Sequence, residues 1–189
     1  MLLELATTHL PGIESIRICD VGCGAGGDLA FWHQSGALQS NLAGTELLPD
    51  RARAASELLP DADIRLVDGF ELPFKPGVFH MTTASLVFSS VLDAASRRQL
   101  FEEMRRVTAV GGLTVVYDMR ITRPSNPSVT HISPASLGAS TRPRSRLLAT
   151  PLLPALAVVL SGPGFVRRPL TALLPRTHAL WVWPKQPAG

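Results

Sequence analysis

Short apolar runs separated by amphipathic stretches occupy the first two thirds of the chain. Residues 16–21 form the first run, Ile-Arg-Ile-Cys-Asp-Val, and read as a strand feeding a turn that contains Gly22, Gly24, Gly26 and Gly27. Residues 28–34 then read as a helix, stopped near Ser35-Gly36. A second short strand is expected over 42–47. Pro49 marks the start of a helix that continues over 50–59, with Ala52, Ala55, Leu58 and Leu59 on one face. Pro60 closes it, residues 64–67 give a third strand leading into Asp68-Gly69, and the two prolines of 71–77 mark a loop. A fourth strand covers 81–86. Asp93 is placed to cap a helix that carries Leu100, Met104 and Val107 on its core face to about Thr108. Gly111-Gly112 is read as the end of that helix, and 113–117 as a fifth, β-branched strand ending at Asp118.

Strand and helix alternating in this way predict a parallel sheet covered on both faces and wound in right-handed units. Ligands of such sheets bind beyond the carboxyl ends of the strands. Asp20, Glu46, Asp68, Leu86 and Asp118 all fall at or next to such ends, so the chemistry is expected along one edge.

Beyond Asp118 the pattern changes. Residues 120–145 are rich in Pro, Ser and Thr and predict loops, with at most a short strand over 129–132. Residues 147–166 contain no charge, but three prolines and two glycines interrupt them, which favours a short apolar helix over the sheet or substrate mouth and disfavours a transmembrane span. Residues 178–183 are a closing strand ended by Pro184, with Trp181 and Trp183 on one side of it as core or interface. At the other end, Leu2, Leu3 and Leu5 suggest a helical turn over 1–10, ended by Pro11-Gly12.

Composition adds limits. A chain of 189 residues, 46% of them hydrophobic and 17% charged, can bury one substantial core. The start lacks the basic segment and long apolar run of a signal peptide, so a cytoplasmic location is expected. Cys19 and Cys23 fall within the strand and glycine turn, where a disulfide would strain the geometry, and without further ligands they make a poor metal site, so no metal is expected. The net charge of +3 conceals an asymmetry. Residues 1–95 hold five Lys/Arg against twelve Asp/Glu, and residues 96–189 hold thirteen against three. The arginines of the basic half are dispersed and have no interleaved aromatic residues, which argues against nucleic acid.

Gly22-x-Gly24-x-x-Gly27 satisfies the dinucleotide fingerprint, with Glu46 nineteen residues on, where a dinucleotide enzyme holds its ribose. Asp20 ahead of the turn and Asp68 after the third strand shift the reading toward S-adenosylmethionine. Asp20 suits an amino group, a water or the N–H groups of the turn itself, and Asp68 suits an adenine amino group. An NAD(P)-dependent oxidoreductase stays open as the alternative. So does a non-catalytic Rossmann-like partner subunit that docks through 147–166.

Four segments together resemble the class I S-adenosylmethionine-dependent methyltransferases, in particular the small type 11 kind found in bacteria. They are Asp20-Val-Gly-Cys-Gly-Ala-Gly, Gly44-Thr-Glu46-Leu47-Leu-Pro-Asp50, Asp68-Gly69-Phe70-Glu71-Leu72-Pro73-Phe74, and Glu103-Met-Arg-Arg-Val107 with Gly111-Gly112-Leu113. The resemblance covers 16–118 and returns at 176–184. It implies a Rossmann-like doubly wound α/β sheet of order 3-2-1-4-5-7-6 with an antiparallel last strand. It also implies one methyltransferase domain over 1–189, with 1–118 as the cofactor core and 119–189 as the substrate side. Two departures stand out: Phe79-His80 replaces the family's usual Phe-Asp, and the stretch between Pro127 and the sixth strand is short.

The implied cofactor set is Asp20, Gly22, Gly24, Gly26, Glu46, Leu47, Asp68 and Gly69, with Glu46 on the ribose hydroxyls. On the acceptor side Ser89, Ser90, Arg120 and Asn126 are expected, and Asp118 is the candidate catalytic residue. The partner expected is a small-molecule acceptor, a sugar or a secondary metabolite, and a homodimer is allowed.

Overall fold

The computed structural model of the chain describes residues 10–121, 127–148 and 177–187. The turn expected before Pro11 and the apolar stretch beyond Leu148 lie outside the described residues, as does Asn126. Seven strands form one sheet: β1 Ile18–Val21, β2 Leu42–Glu46, β3 Asp63–Leu66, β4 Phe79–Ser85, β5 Thr108–Met119, β6 Arg144–Leu148 and β7 His178–Pro184. Their order is β3-β2-β1-β4-β5-β7-β6. Neighbours from β3 to β5 are parallel, and β7 runs antiparallel to both β5 and β6.

The expected order and the antiparallel last strand are both present. Among the described residues, three helices connect the parallel strands: α1 Gly27–Gln34, α2 Pro49–Leu58 and α3 Ala94–Val107. Asp93 caps α3 as its position suggests, with Oδ2 accepting from the Ser96 amide at 2.7 Å.

The two faces of the sheet bury separate cores. On one, Phe101, Met104 and Val107 of α3 pack with Phe79, Val116, Trp181 and Trp183. The Phe101 and Trp183 rings meet edge-on, with centroids 4.8 Å apart. On the other, Leu29 and Trp32 of α1 and Ala55 of α2 pack on Ile18, Met81, Val115 and Val182. Each buried Val, Leu, Ile, Phe or Met among them contributes about 1.5–3 kcal/mol by leaving water. The two β7 tryptophans therefore belong to the α3-side core.

Two expectations are corrected. Gly111-Gly112 does not end α3. That helix stops at Val107, Thr108 is already extended, and the glycine pair lies inside β5. There Phe79 pairs with Thr108 and Met81 with Leu113, so four residues of β5 bulge opposite His80 alone. Gly111 has φ +80°, and a Cβ on Gly112 would stand 2.6 Å from the His80 carbonyl oxygen. Lys185 closes the bulge. Its backbone exchanges bonds with Gly111 and Gly112, while Nζ donates to the Arg105 and Thr108 carbonyls, both at 2.7 Å. That ammonium neutralises the negative end of α3.

The second correction concerns the loops. Residues 129–132 form no strand; Thr130 and Ile132 each donate one isolated bond, to Ser89 O and Met119 O. The sixth strand is instead Arg144–Leu148, at the sheet's edge.

Candidate functional site

The carboxyl end of β1 turns sharply because three glycines there have left-handed backbones, with φ of 70° at Gly22, 56° at Gly24 and 86° at Gly26. The Gly22 and Cys23 amides both donate to Thr45 O, folding the turn across the end of β2. A Cβ on Gly22 would stand 2.6 Å from Val87 Cγ2 on the opposite wall. Gly26 serves a different purpose: it precedes α1 and lets Ala55 of α2 approach to 3.3 Å of where a Cβ would be. The Cβ direction of Gly24 is open. Cys19 and Cys23 are free and buried; burial pushes Cys23 up to about 12 and Cys19 well above its usual range, so both remain thiols.

Glu46 ties the turn to β2. Its Oε2 accepts from the Gly24 amide at 2.8 Å, and Oε1 accepts from the Leu47 and Leu48 amides at 2.8 and 3.0 Å. Three backbone donors hold this carboxylate at a single orientation while it borders an open cleft. Asp20 lies behind the turn, 3% exposed, and accepts from Thr83 Oγ1 at 2.6 Å. Burial above all, with the nearby charges of Asp28 and Glu46, raises it to about 7, against the opposing bond from Thr83. The Gly22 and Cys23 amides go to Thr45 O, that of Gly24 to Glu46 and that of Gly26 to Cys23 O, none of them to Asp20. Asp68 and Gly69, beyond β3, are exposed on the cleft.

The opposite wall follows β4. Leu86 has φ +58°, the one non-glycine residue in that region among the described residues, and its amide donates to Tyr117 O at 2.8 Å. A branched side chain held there stores strain of about 1–3 kcal/mol beside the cleft. The next residues turn through a short 3-10 helix, Phe88–Ser90, which separates the two serines. Ser90 lines the cleft. Ser89 is 1% exposed, and its amide donates to Asp118 Oδ2 at 3.1 Å. Asp118 is itself fully buried and also accepts from the Met119 amide at 2.7 Å. Burial raises its pKa, and its position braces the 3-10 turn from below, outside the cleft lining. Arg120 is exposed at the end of β5, where its amide donates to Thr177 O; it also stands outside that lining. Arg97 of α3 steadies this wall by donating from Nη1 to the Val91 and Leu92 carbonyls at 2.6 and 2.8 Å.

The loop after Asp68 supplies a third wall through Phe70 and Leu72. Glu103 and Arg106, one turn apart on α3, clamp it. Glu103 Oε2 accepts from the Leu72 amide at 2.8 Å, and Arg106 donates to the Leu72 and Phe74 carbonyls. Arg106 also pairs with Glu103 and holds that carboxyl below its ordinary range.

These walls enclose a cleft of about 780 Å³, which unites Gly22, Glu46, Leu47, Asp68, Gly69 and Ser90 from the sequence-derived set. Gly24 and Gly26 shape the turn from outside the lining. Leu86, expected at a strand's carboxyl end, borders the cleft too, as do Arg51, Val87 and Leu92, which were not singled out from sequence. Arg51 was findable, since it lies in the first turn of α2, five residues after Glu46. Asp93, for which the cap reading is preferred over that of a general base, both caps α3 and faces the cleft. The open mouth, apolar walls and fixed carboxylates suit a ligand that combines hydroxyls, a flat ring and a cationic group.

A family model described as a methyltransferase domain matches residues 19–116. No curated protein matches the chain. Among solved structures, the fold is similar to an S-adenosylmethionine-dependent methyltransferase from Methanosarcina mazei, at 13% identity and TM-score 0.69, over 97% of this chain and 98% of that one. It is similar to another from Mesorhizobium loti, at 17% and 0.66, covering 95% of each chain. A geranyl diphosphate C-methyltransferase from Streptomyces coelicolor, solved with Mg²⁺, geranyl diphosphate and S-adenosyl-L-homocysteine, aligns at 19% and 0.65 over 96% of this chain and 76% of that one.

Proposed function

The chain belongs to the methyltransferase-domain family, and from that premise we propose that its cleft holds S-adenosylmethionine beside a small-molecule acceptor and directs methyl transfer between them. One observation carries the reading. Gly22, Glu46 and Asp68 arrive from the ends of three different strands and border one cleft of about 780 Å³, within the usual range for small-molecule sites. The same reading takes residues 1–189 as one domain acting in the cytoplasm; among the described residues no helix is long and apolar enough to cross a membrane.

The residues fit this cofactor. A carboxylate oriented by three amides is pre-organised to accept from a ribose diol, and Glu46 is such a group. Asp68 is placed to accept from an adenine amino group, and Leu47, Phe70 and Leu72 offer apolar surface to the ring. The absence of a Cβ at Gly22 keeps the space before Val87 open. When bound, the cofactor supplies a methyl group on a sulfonium, which leaves as a neutral sulfide.

What this chain has to contribute is alignment and exclusion of water. Leu86, Val87 and Leu92 supply the dry wall opposite the turn, and Ser90 and Asp93 are the polar groups for an acceptor. Asp93 is a weak base, because the Ser96 amide holds it below its ordinary range. Among the described residues the cleft has no imidazole: His80 lies at the amino edge, accepting from the Arg17 amide, and His178 is buried against Thr177. An acceptor that is already nucleophilic near neutral pH, such as an amine or an acidic hydroxyl, fits these groups best. Asp118 then acts as a positioning residue for the Phe88–Ser90 turn.

Calorimetry of the full chain with S-adenosylmethionine, S-adenosylhomocysteine and NADH tests the cofactor assignment. Saturable binding of both sulfur nucleosides and none of NADH is expected. Binding of NADH alone would overturn it.

A further inference from the structure

We propose that a second pocket, at the amino edge of the sheet, binds a small phosphate-bearing anion. The pocket holds about 320 Å³ and is bordered by Arg17, Arg65, Lys75, Phe74 and the Ser40–Asn41 turn. It lies at the far end of the strands from the cleft: β2 begins in it at Leu42 and ends in the other at Glu46.

Its charge is concentrated against the trend of its surroundings. The first 95 residues hold five Lys/Arg, and three of them line this one pocket, although the same segment has twelve acids. Arg65 is built in. It forks onto both oxygens of Asp63 at 2.9 and 2.7 Å, donates to Pro73 O, and lies 4.4 Å from the Phe74 ring centroid. Arg17 stands over the Phe79 ring at 6.0 Å, and the two rings brace each other edge-on with centroids 5.0 Å apart. Two arginines are thus backed by aromatic surface, which holds guanidinium planes in place for an incoming ligand.

Asp63 answers only Arg65. Among the described residues no hydrogen bond or ion pair reaches the Arg17 guanidinium or the Lys75 ammonium. Two uncommitted cations facing a cavity match a dianion, and a guanidinium fork beside an ammonium is the donor set that takes phosphate oxygens. The volume, near the lower end of small-ligand sites, limits the occupant to a compact molecule. The occupant is distinct from the methyl acceptor, because the two openings are on opposite edges.

NMR titration of the full chain with inorganic pyrophosphate, following backbone amides and arginine Nε–H signals, tests this. Saturable shifts centred on Arg17, Arg65 and Lys75 are expected, with Kd below about 1 mM at low ionic strength. Arg17→Gln and Lys75→Gln should each weaken binding about tenfold, the scale of losing one charge-assisted hydrogen bond. Both variants should keep S-adenosylhomocysteine affinity within about twofold of the parent, since neither touches the cleft. Non-saturating shifts spread over the surface would overturn the site. Equal binding of citrate would overturn the phosphate assignment, and competition between pyrophosphate and S-adenosylhomocysteine would move the anion into the cleft and overturn the placement.

Discussion

At the carboxyl edge of the sheet, Glu46, Asp68 and Asp93 line one cleft with Arg51 as its cation, whereas at the amino edge Arg17, Arg65 and Lys75 face Asp63. The two ends of the same strands therefore present opposite charge. The acidic edge relies on backbone geometry: glycines open the space, and main-chain amides aim the Glu46 carboxylate. The basic edge relies on side chains, with aromatic rings orienting guanidinium groups. Preorganisation by amides is stiff and intolerant of substitution. Preorganisation by long side chains is softer and survives the loss of any one member. The two edges should therefore respond to mutation on different scales.

The severest test is Glu46→Ala. It removes the acceptor of three amides, so a stability loss of about 3 kcal/mol is expected, together with at least about tenfold weaker S-adenosylhomocysteine binding. Urea unfolding and calorimetry read the two effects separately, and a variant that kept both would remove Glu46 from the centre of the acidic edge.

Next in size is a pH effect from Asp20. Its folded value of about 7 lies above the ordinary 3.8, so between these the folded chain binds more protons than the unfolded chain. Stability should fall as pH rises from about 4 to about 7 and then level off, by at most about 4 kcal/mol in all, spread over those three pH units. Asp20→Asn should flatten that slope in denaturant titrations, and an unchanged slope would mean that the Asp20 charge is accommodated without penalty.

Gly22→Ala should be milder. It places a methyl against Val87 at φ +70°, which costs about 1–2 kcal/mol and narrows the cleft. Adding Val87→Ala should recover the steric part of the cofactor affinity but not the backbone strain. Full recovery of stability would show the backbone there to be unstrained. At the other edge, Arg17→Gln and Lys75→Gln are expected to change stability by less than about 0.5 kcal/mol.

Most of the sheet was legible because its central strands β1 and β2 are buried on both faces, and because Pro49 in the first turn of α2 and the Asp93 cap of α3 mark helix starts through local signals. The cleft was legible where backbone chemistry defines it, at Gly22, Glu46 and Asp68. Gly111-Gly112 misled because a left-handed glycine serves a helix end and a strand bulge equally well, and only pairing with His80 and Lys185 decides between them. Arg144–Leu148 was missed because an edge strand bonds to one neighbour only and keeps the polar composition of a loop. Strand parity held unused information about Asp118. Two residues from Val116, it shares the face toward α3, whereas Tyr117 belongs to the other. The separation of Ser89 from Ser90 had no sequence signal, since it follows from a single 3-10 turn.

The position of β7 between β5 and β6 has a consequence for the order of events during synthesis. Among the described strands, the latest in sequence occupies an interior slot. Until residues 178–184 emerge, β5 has no partner along one side, and Leu113, Val115 and Val116 lie on an open edge. An exposed row of unpaired amides flanked by β-branched side chains is a template for intermolecular pairing. A chain in which only β1–β5 have assembled therefore leaves that side of β5 unpaired. Closure of the sheet between β5 and β6 is then a long-range event set by the arrival of β7, and ribosome-bound chains stopped before Thr177 are the form in which that open edge persists.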